Sequence, residues 1–277
     1  MKIAKILGTA ALVSTLGAQA YAAPAAKDVL TTYADIAHAG YEDSLITAKE
    51  LQATIDDLIA NPSAATFDAA KSAWLASRVP YQQTEVYRFG NAIVDDWEGK
   101  VNAWPLDEGL IDYVETGLYG EESEENPAYT ANVIANPTLT ISGETIDAST
   151  IDTALLESLH EIDDVEANVA TGYHAIEFLL WGQDLNGTDA GAGERKWTDY
   201  AAGDACTNGN CDRRGEYLQA AVDLMVSDLE WMTAQWAEGG EARETVLEGD
   251  GVPGLTAIVT GMGSLSYGEL GGERTKL

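Results

Sequence analysis

The chain is 277 residues long and carries 46 acidic against 15 basic side chains, a formal charge of −31 at pH 7. Such a surface repels nucleic acid and anionic lipid, so neither is expected as a partner. It attracts cations, but acidic surfaces also serve solubility or life in salty water, and charge alone indicates no metal site.

The N-terminus reads Met1-Lys2-Ile3-Ala4-Lys5, then an apolar stretch from Ile6 to Leu16, then the small-residue run Ala18-Gln19-Ala20-Tyr21-Ala22-Ala23. This is the pattern of a cleavable signal peptide over residues 1–22, cut after Ala20 or Ala22. No cysteine stands at the cleavage site to carry a lipid anchor. No later stretch reaches the roughly 18 uninterrupted apolar residues of a membrane span. The mature protein is therefore expected in the periplasm or cell envelope, with about 255 residues for one large or two small domains.

From Lys27 to Ala60, apolar residues recur at Leu30, Tyr33, Ala37, Tyr41, Leu45, Ala48, Leu51, Ile55 and Leu58, always three or four apart. That spacing predicts a long amphipathic helix, ended by Asn61-Pro62. Ser63 can cap a second helix carrying Phe67, Ala70 and Trp74, then Arg78, Tyr81, Glu85 and Arg88 before Gly90, with Pro80 expected to kink or divide it. Residues 91 to 150 are less regular. They hold a short helical candidate at Leu106 to Val114 and then a long loop over 115–150, punctuated by Pro127, Pro137 and Gly143, with a small hairpin at Thr138 to Ile146. Helices are predicted again at Thr150 to Glu161, Val165 to Trp181, Arg213 to Trp236, and from Gly254 onward. Strand-like alternation is scarce, so the fold class is all-α, a helical bundle.

Cys206 and Cys211, the two cysteines, lie five apart, and an exported setting favours a local disulfide. Two thiolates at this spacing could instead join a zinc site, but no histidine lies near them.

The run Thr171 to Trp181 carries most of the functional information, because it plants His174 and Glu177 inside an otherwise apolar helix. Residues three apart share a helical face, so imidazole and carboxylate can address one object. A buried carboxylate needs a partner. The pair can satisfy itself through a mutual hydrogen bond, or it can hold a metal ion. Two protein ligands are few for a transition metal, so a third is sought. Glu85 is the best source, since Tyr81, Glu85 and Arg88 would share one face of the second helix, with Arg88 or Arg78 balancing excess carboxylate charge. Glu85 and Arg88 could equally form an ordinary ion pair on a solvated face.

Other features fall away. His38 lies on the long first helix and His160 stands beside Glu161, Asp163 and Asp164, so both read as surface or boundary residues. Asp184-x-Asn186-x-Thr188 begins like a calcium loop, but Asp189 fills its glycine position and Arg195 its terminal glutamate position. Gly261-x-Gly263 follows no strand and reads as a close helix contact. There is no His-Glu-x-x-His motif and no serine in an elbow motif, which leaves standard zinc peptidases and serine hydrolases without support.

Gly172-x-His174-x-x-Glu177 followed by Phe178-Leu179-Leu180-Trp181-Gly182 resembles the Gly-x-His-x-x-Glu signature of the imelysin family, most closely its iron-regulated protein A subgroup. The similarity extends to Trp74 through Gly90, Trp104 through Glu108, Arg213 through Leu218 and Gly261 through Ser266. The resemblance implies an exported all-helical protein of two bundle-like halves, linked to iron or haem acquisition, with His174 and Glu177 as metal ligands, Glu85 as the addition, and Gly172, Arg78 and Arg88 in support. It divides the mature chain into an imelysin-like bundle at 23–250 and, at 251–277, the truncated start of a second half. Three readings follow. The first is a metal-binding protein working with envelope components of iron uptake, its ion divalent or ferric, iron before zinc, because one imidazole among oxygen ligands suits a hard to borderline cation. The second is a metallopeptidase using the same ligands. The third is a non-metal envelope module, with haem as its ligand.

Overall fold

A computed structural model describes residues 23–275 of the chain; the predicted signal peptide lies outside the described residues. The architecture is a helical bundle with one small hairpin. Helix α1 spans Ala26–Ala60 and α2 spans Ala64–Gln83. Asn61 to Ser63 joins them, and a reciprocal cap closes the turn: the Thr66 amide donates to Ser63 Oγ (3.2 Å), and the Ser63 amide donates to Thr66 Oγ1 (3.1 Å). The buried residues of α1 are Leu30, Ala34, Ala37, Tyr41, Ser44, Ala48, Leu51, Ile55 and Leu58, and those of α2 are Phe67, Ala70, Trp74, Ser77 and Tyr81. Both stripes alternate steps of three and four, the seven-residue repeat that lets helices pack side by side at a shallow angle. Ala34 and Ser44 sit at the centre of this seam in place of the predicted Tyr33 and Leu45, which lie only partly buried at its edge. Small side chains there let the neighbouring backbone approach.

After a short 3₁₀ turn at Glu85–Tyr87 come α3 (Ala92–Asn102), the one-turn helices α4 (Glu108–Ile111) and α5 (Thr116–Tyr119), and a hairpin of β1 (Thr138–Ile141) and β2 (Glu144–Asp147). The antiparallel register pairs Leu139 with Ile146, placing the hairpin where the sequence predicts it. Then follow α6 (Thr153–Leu159), α7 (Gly172–Trp181), the long α8 (Cys211–Trp236), α9 (Glu241–Leu247), α10 (Val252–Gly263) and a π-helical segment, Ser264–Arg274. Helix α8 packs on α1 and α7. An aromatic cluster of Tyr33, Tyr41, Tyr87, Trp97 and Trp236 fills one end of the core, with ring centroids 5.1–6.4 Å apart. Residues 252–274 fold back onto the bundle, α10 touching α1, α9 and the Glu85–Tyr87 turn.

Three sequence expectations change. The second helix does not run to Gly90: it passes Pro80, whose missing amide breaks the ladder, and ends at Gln83, so Tyr81, Glu85 and Arg88 do not share a helical face. The helix predicted from Val165 begins only at Gly172. The preceding stretch is irregular, with Glu161, Asp163 and Asp164 at positive φ and the side chain of Asn168 buried and bonded to Ile162 O and Asn126. Helices α3 and α9 escape the pattern because each buries only two or three apolar residues.

Candidate functional site

Helix α7 is clamped from several sides. The Trp74 indole donates to Tyr173 O (2.9 Å), the Tyr200 hydroxyl to Leu179 O (2.6 Å), and the Thr171 hydroxyl to Lys100 O (2.7 Å). At its first residue Gly172 has φ +77°, and a Cβ there would run into the Val101 carbonyl, so the close approach of α3 to α7 requires glycine. Every residue of α7 is buried except His174, Glu177 and Trp181. Their spacing of three and four makes one stripe, and all three line an open cavity of about 980 Å³.

Within that stripe His174 Nδ1 lies 2.8 Å from Glu177 Oε2. The indole of Trp104, itself 71% exposed, covers the imidazole with ring centroids 5.1 Å apart. Two donors in adjacent positions of an octahedral shell, each about 2.1 Å from an ion, stand about 3 Å apart. The observed 2.8 Å is an ordinary hydrogen-bond length, and it leaves the two donors close enough for one ion to take the place of the shared hydrogen. Alternatively the carboxylate orients the ring through Nδ1 and leaves Nε2 as the ligand. Either way two side chains leave most of a coordination shell to other donors.

Glu85 lines the same cavity but is engaged elsewhere. Arg274 grips its carboxylate with both terminal nitrogens, Nη1 standing 3.0 Å from Oε2 and Nη2 against Oε1. Arg88 turns instead to Asp95 (3.2 Å) and Glu98 (3.4 Å). The local Glu85–Arg88 pair is thus not formed: both residues lie beyond α2, at the two ends of the 3₁₀ turn, where Glu85 pairs with Arg274 and Arg88 with Asp95 and Glu98. Among the described residues, no three histidine, cysteine, aspartate or glutamate side chains gather closely enough to share an ion. Arg78 lies over the ring of Tyr173, 4.7 Å from its centroid, and donates to Asn102 Oδ1 at 2.6 Å. Burial raises Glu98, which faces Arg88 and Asn102, above the usual carboxylate range.

Sequence reasoning missed several polar residues of the cavity, Glu98, Asn102, Arg274 and Glu108 among them. Glu108, the first residue of α4, is pushed up to about 7, mainly by burial, with Asp184 and Glu177 raising it further and Arg195 opposing. Its only signal in the sequence was its place after Trp104-Pro105, which named no role.

A buried ionic network stands behind the cavity wall. Asp112 accepts from Arg214 Nε (2.7 Å) and Nη2 (3.0 Å) and from Arg195 Nη1 (2.7 Å). Asp199 accepts from Tyr113 (2.7 Å), Thr207 (2.6 Å), Asn208 (2.9 Å) and Arg195 (3.3 Å). Two arginines and two aspartates leave the group neutral, the condition under which charge tolerates burial. Arg195 also closes the loop after α7, its amide donating to Trp181 O at 2.9 Å. Cys206 and Cys211 are joined as a disulfide, with Cα atoms 6.0 Å apart, at the start of α8. His38 and His160 lie away from the cavity lining. Gly261 does make a close contact, packed against the Val86 carbonyl, whereas Gly263 faces open space.

Fold and site together define a helical bundle that presents a His-x-x-Glu pair to a ligand-sized cavity. The chain belongs to the imelysin family, whose family model matches residues 37–277. It is 33% identical over 60 residues to iron-regulated protein A of Synechococcus elongatus, a stretch covering 22% of this chain and 17% of that protein. Its fold is similar to the crystal structure of a proposed iron-regulated protein A precursor from Parabacteroides distasonis, with a TM-score of 0.52 and 19% identity, covering 88% of this chain and 58% of that one. The chain thus spans a little over half the length of that solved relative. No helix among the described residues is long and apolar enough to cross a membrane.

Proposed function

We propose that this protein is an exported, iron-binding imelysin of the cell envelope, in which His174 and Glu177 hold the ion as cargo for components of iron uptake. The carrying observation is the α7 stripe: in a helix otherwise buried, the pair faces a large open cavity at a mutual distance that suits adjacent positions around one ion. One imidazole among oxygen donors suits a hard to borderline cation such as iron. Export is supported by the N-terminal signal pattern and by the relative from P. distasonis, described as a precursor. Calorimetric titration with Fe²⁺ under anaerobic conditions, and with Zn²⁺, tests the assignment. One tight site is expected, lost in His174→Ala and weakened in Glu177→Gln; stoichiometry unchanged by His174→Ala refutes it. A haem titration with a Soret shift that survives His174→Ala would instead support the non-metal module.

One observation favours a metallopeptidase as the second reading. Glu108, raised to about 7, supplies in the same cavity a carboxylate poised near neutrality, as a general base requires. Chelator-sensitive cleavage of an unfolded protein substrate, lost in Glu108→Gln, is the expected result on that reading.

A further inference from the structure

The cavity is far larger than an ion needs. A water-sized guest occupies about 30 Å³, whereas small-molecule sites run from about 300 to 1,000 Å³; this cavity reaches about 980 Å³. The metal-facing pair also leaves most of a coordination shell unfilled, and Glu85, the carboxylate across the cavity, is held by Arg274. Among the described residues no third imidazole, thiolate or carboxylate stands close enough to share the ion, so the rest of the shell comes with the ion or from solvent.

The rest of the lining indicates which. The lining holds three arginines, Arg78, Arg88 and Arg274, among six carboxylates. Arg274 and Arg88 are countered by Glu85, Asp95 and Glu98. Arg78 is not: among the described residues its hydrogen-bond partner is the neutral amide of Asn102, and its guanidinium carbon lies 4.7, 5.3 and 5.8 Å from the ring centroids of Tyr173, Tyr81 and Trp74. Three rings around it and the bond to Asn102 restrict the guanidinium before any ligand arrives, and a guanidinium can recognise a carboxylate with two parallel hydrogen bonds. Arg78 and the His174–Glu177 pair line the same cavity.

We propose that the cavity takes its metal as a chelate with a small polycarboxylate, Arg78 receiving a free carboxylate of the chelator while His174 and Glu177 complete the ion's shell. This rests on the metal-binding reading above and adds the chemical form of the cargo. No bond other than coordination and hydrogen bonds forms or breaks.

The test titrates the purified protein with ferric citrate containing radiolabelled citrate, with citrate alone, and with Fe²⁺ alone, in wild type, Arg78→Gln and Arg78→Lys. Iron and label should be retained together. Arg78→Gln should weaken ferric citrate about tenfold or more and leave Fe²⁺ affinity within about twofold, while Arg78→Lys, which keeps the charge but not the fork, should fall between. Circular dichroism of each variant checks folding, and unchanged Fe²⁺ binding is itself evidence of an intact site. Iron retained without label, citrate alone bound as tightly as the chelate, or equal losses for Fe²⁺ and ferric citrate in Arg78→Gln would overturn the chelate proposal and leave metal binding standing. Failure of wild type to bind Fe²⁺ or ferric citrate at all would remove both.

Discussion

Replacing Asp112 by alanine tests the buried network that backs the cavity. The carboxylate accepts three charged hydrogen bonds from Arg214 and Arg195, and all of these side chains are essentially sealed from solvent, Arg214 at 0% and Asp112 at 2% exposure. In the variant, Arg214 keeps only its Nη1 bonds to Asp199 O (2.9 Å) and Gly209 O (3.0 Å). The two guanidinium groups then share the single carboxylate of Asp199, leaving one uncompensated buried positive charge. Breaking a buried pair in this way costs about 3–5 kcal/mol. For a domain of this size that corresponds to a fall in Tm of about 6–20 °C. Urea and thermal denaturation followed by circular dichroism would measure it. Because the charges are buried, 0.5 M NaCl should not restore the loss, as it would for a surface pair. A destabilisation below about 1 kcal/mol, or one erased by salt, would refute the reasoning.

Two buried carboxylates impose a pH dependence. Burial raises Asp228 to about 6 and Glu108 to about 7, so between about pH 4 and 7 the folded state holds protons that the unfolded state has released, and stability falls as pH rises through that window. Asp228→Asn should therefore be more stable than wild type by about 1 kcal/mol at pH 8, after discounting for partial exposure, and equal to it at pH 4. A gain that does not change with pH would contradict this. Gly172→Ala should lose at least about 2 kcal/mol in urea denaturation and weaken Fe²⁺ binding, since the residue sits at positive φ against the Val101 carbonyl and its strain would displace His174. Wild-type stability would show the contact to be yielding. Reduction of Cys206–Cys211, which closes a short loop, should cost about 2 kcal/mol and leave the cavity pair in place, so Tm should drop while metal stoichiometry holds.

The local parts of this molecule were legible in the chain itself. A helix repeats every 3.6 residues, so the stripes from Leu30 to Leu58 and from Phe67 to Tyr81 declare their buried faces, and three-residue spacing alone places His174 beside Glu177. The Thr138–Asp147 hairpin lies where Pro137 and Gly143 punctuate the loop, as expected for Thr138 to Ile146. The direction of Glu85 was not legible. Its helical register looked toward Arg88 until α2 ended at Gln83 and gave way to the 3₁₀ turn, and its actual partner, Arg274, lies 189 residues away. The same holds for Asp112, 102 residues before Arg214, and for Glu108, whose raised proton affinity comes from desolvation by elements that its own neighbourhood does not contain. Short-range periodicity determined which residues share a face and that one helix carries a polar pair. Only tertiary packing decided which charges are buried together, which carboxylate is held by an arginine, and that the pair opens onto a cavity large enough for more than an ion. Burial and long-range Coulomb interactions depend on which surfaces meet, and spacing along the chain does not encode that.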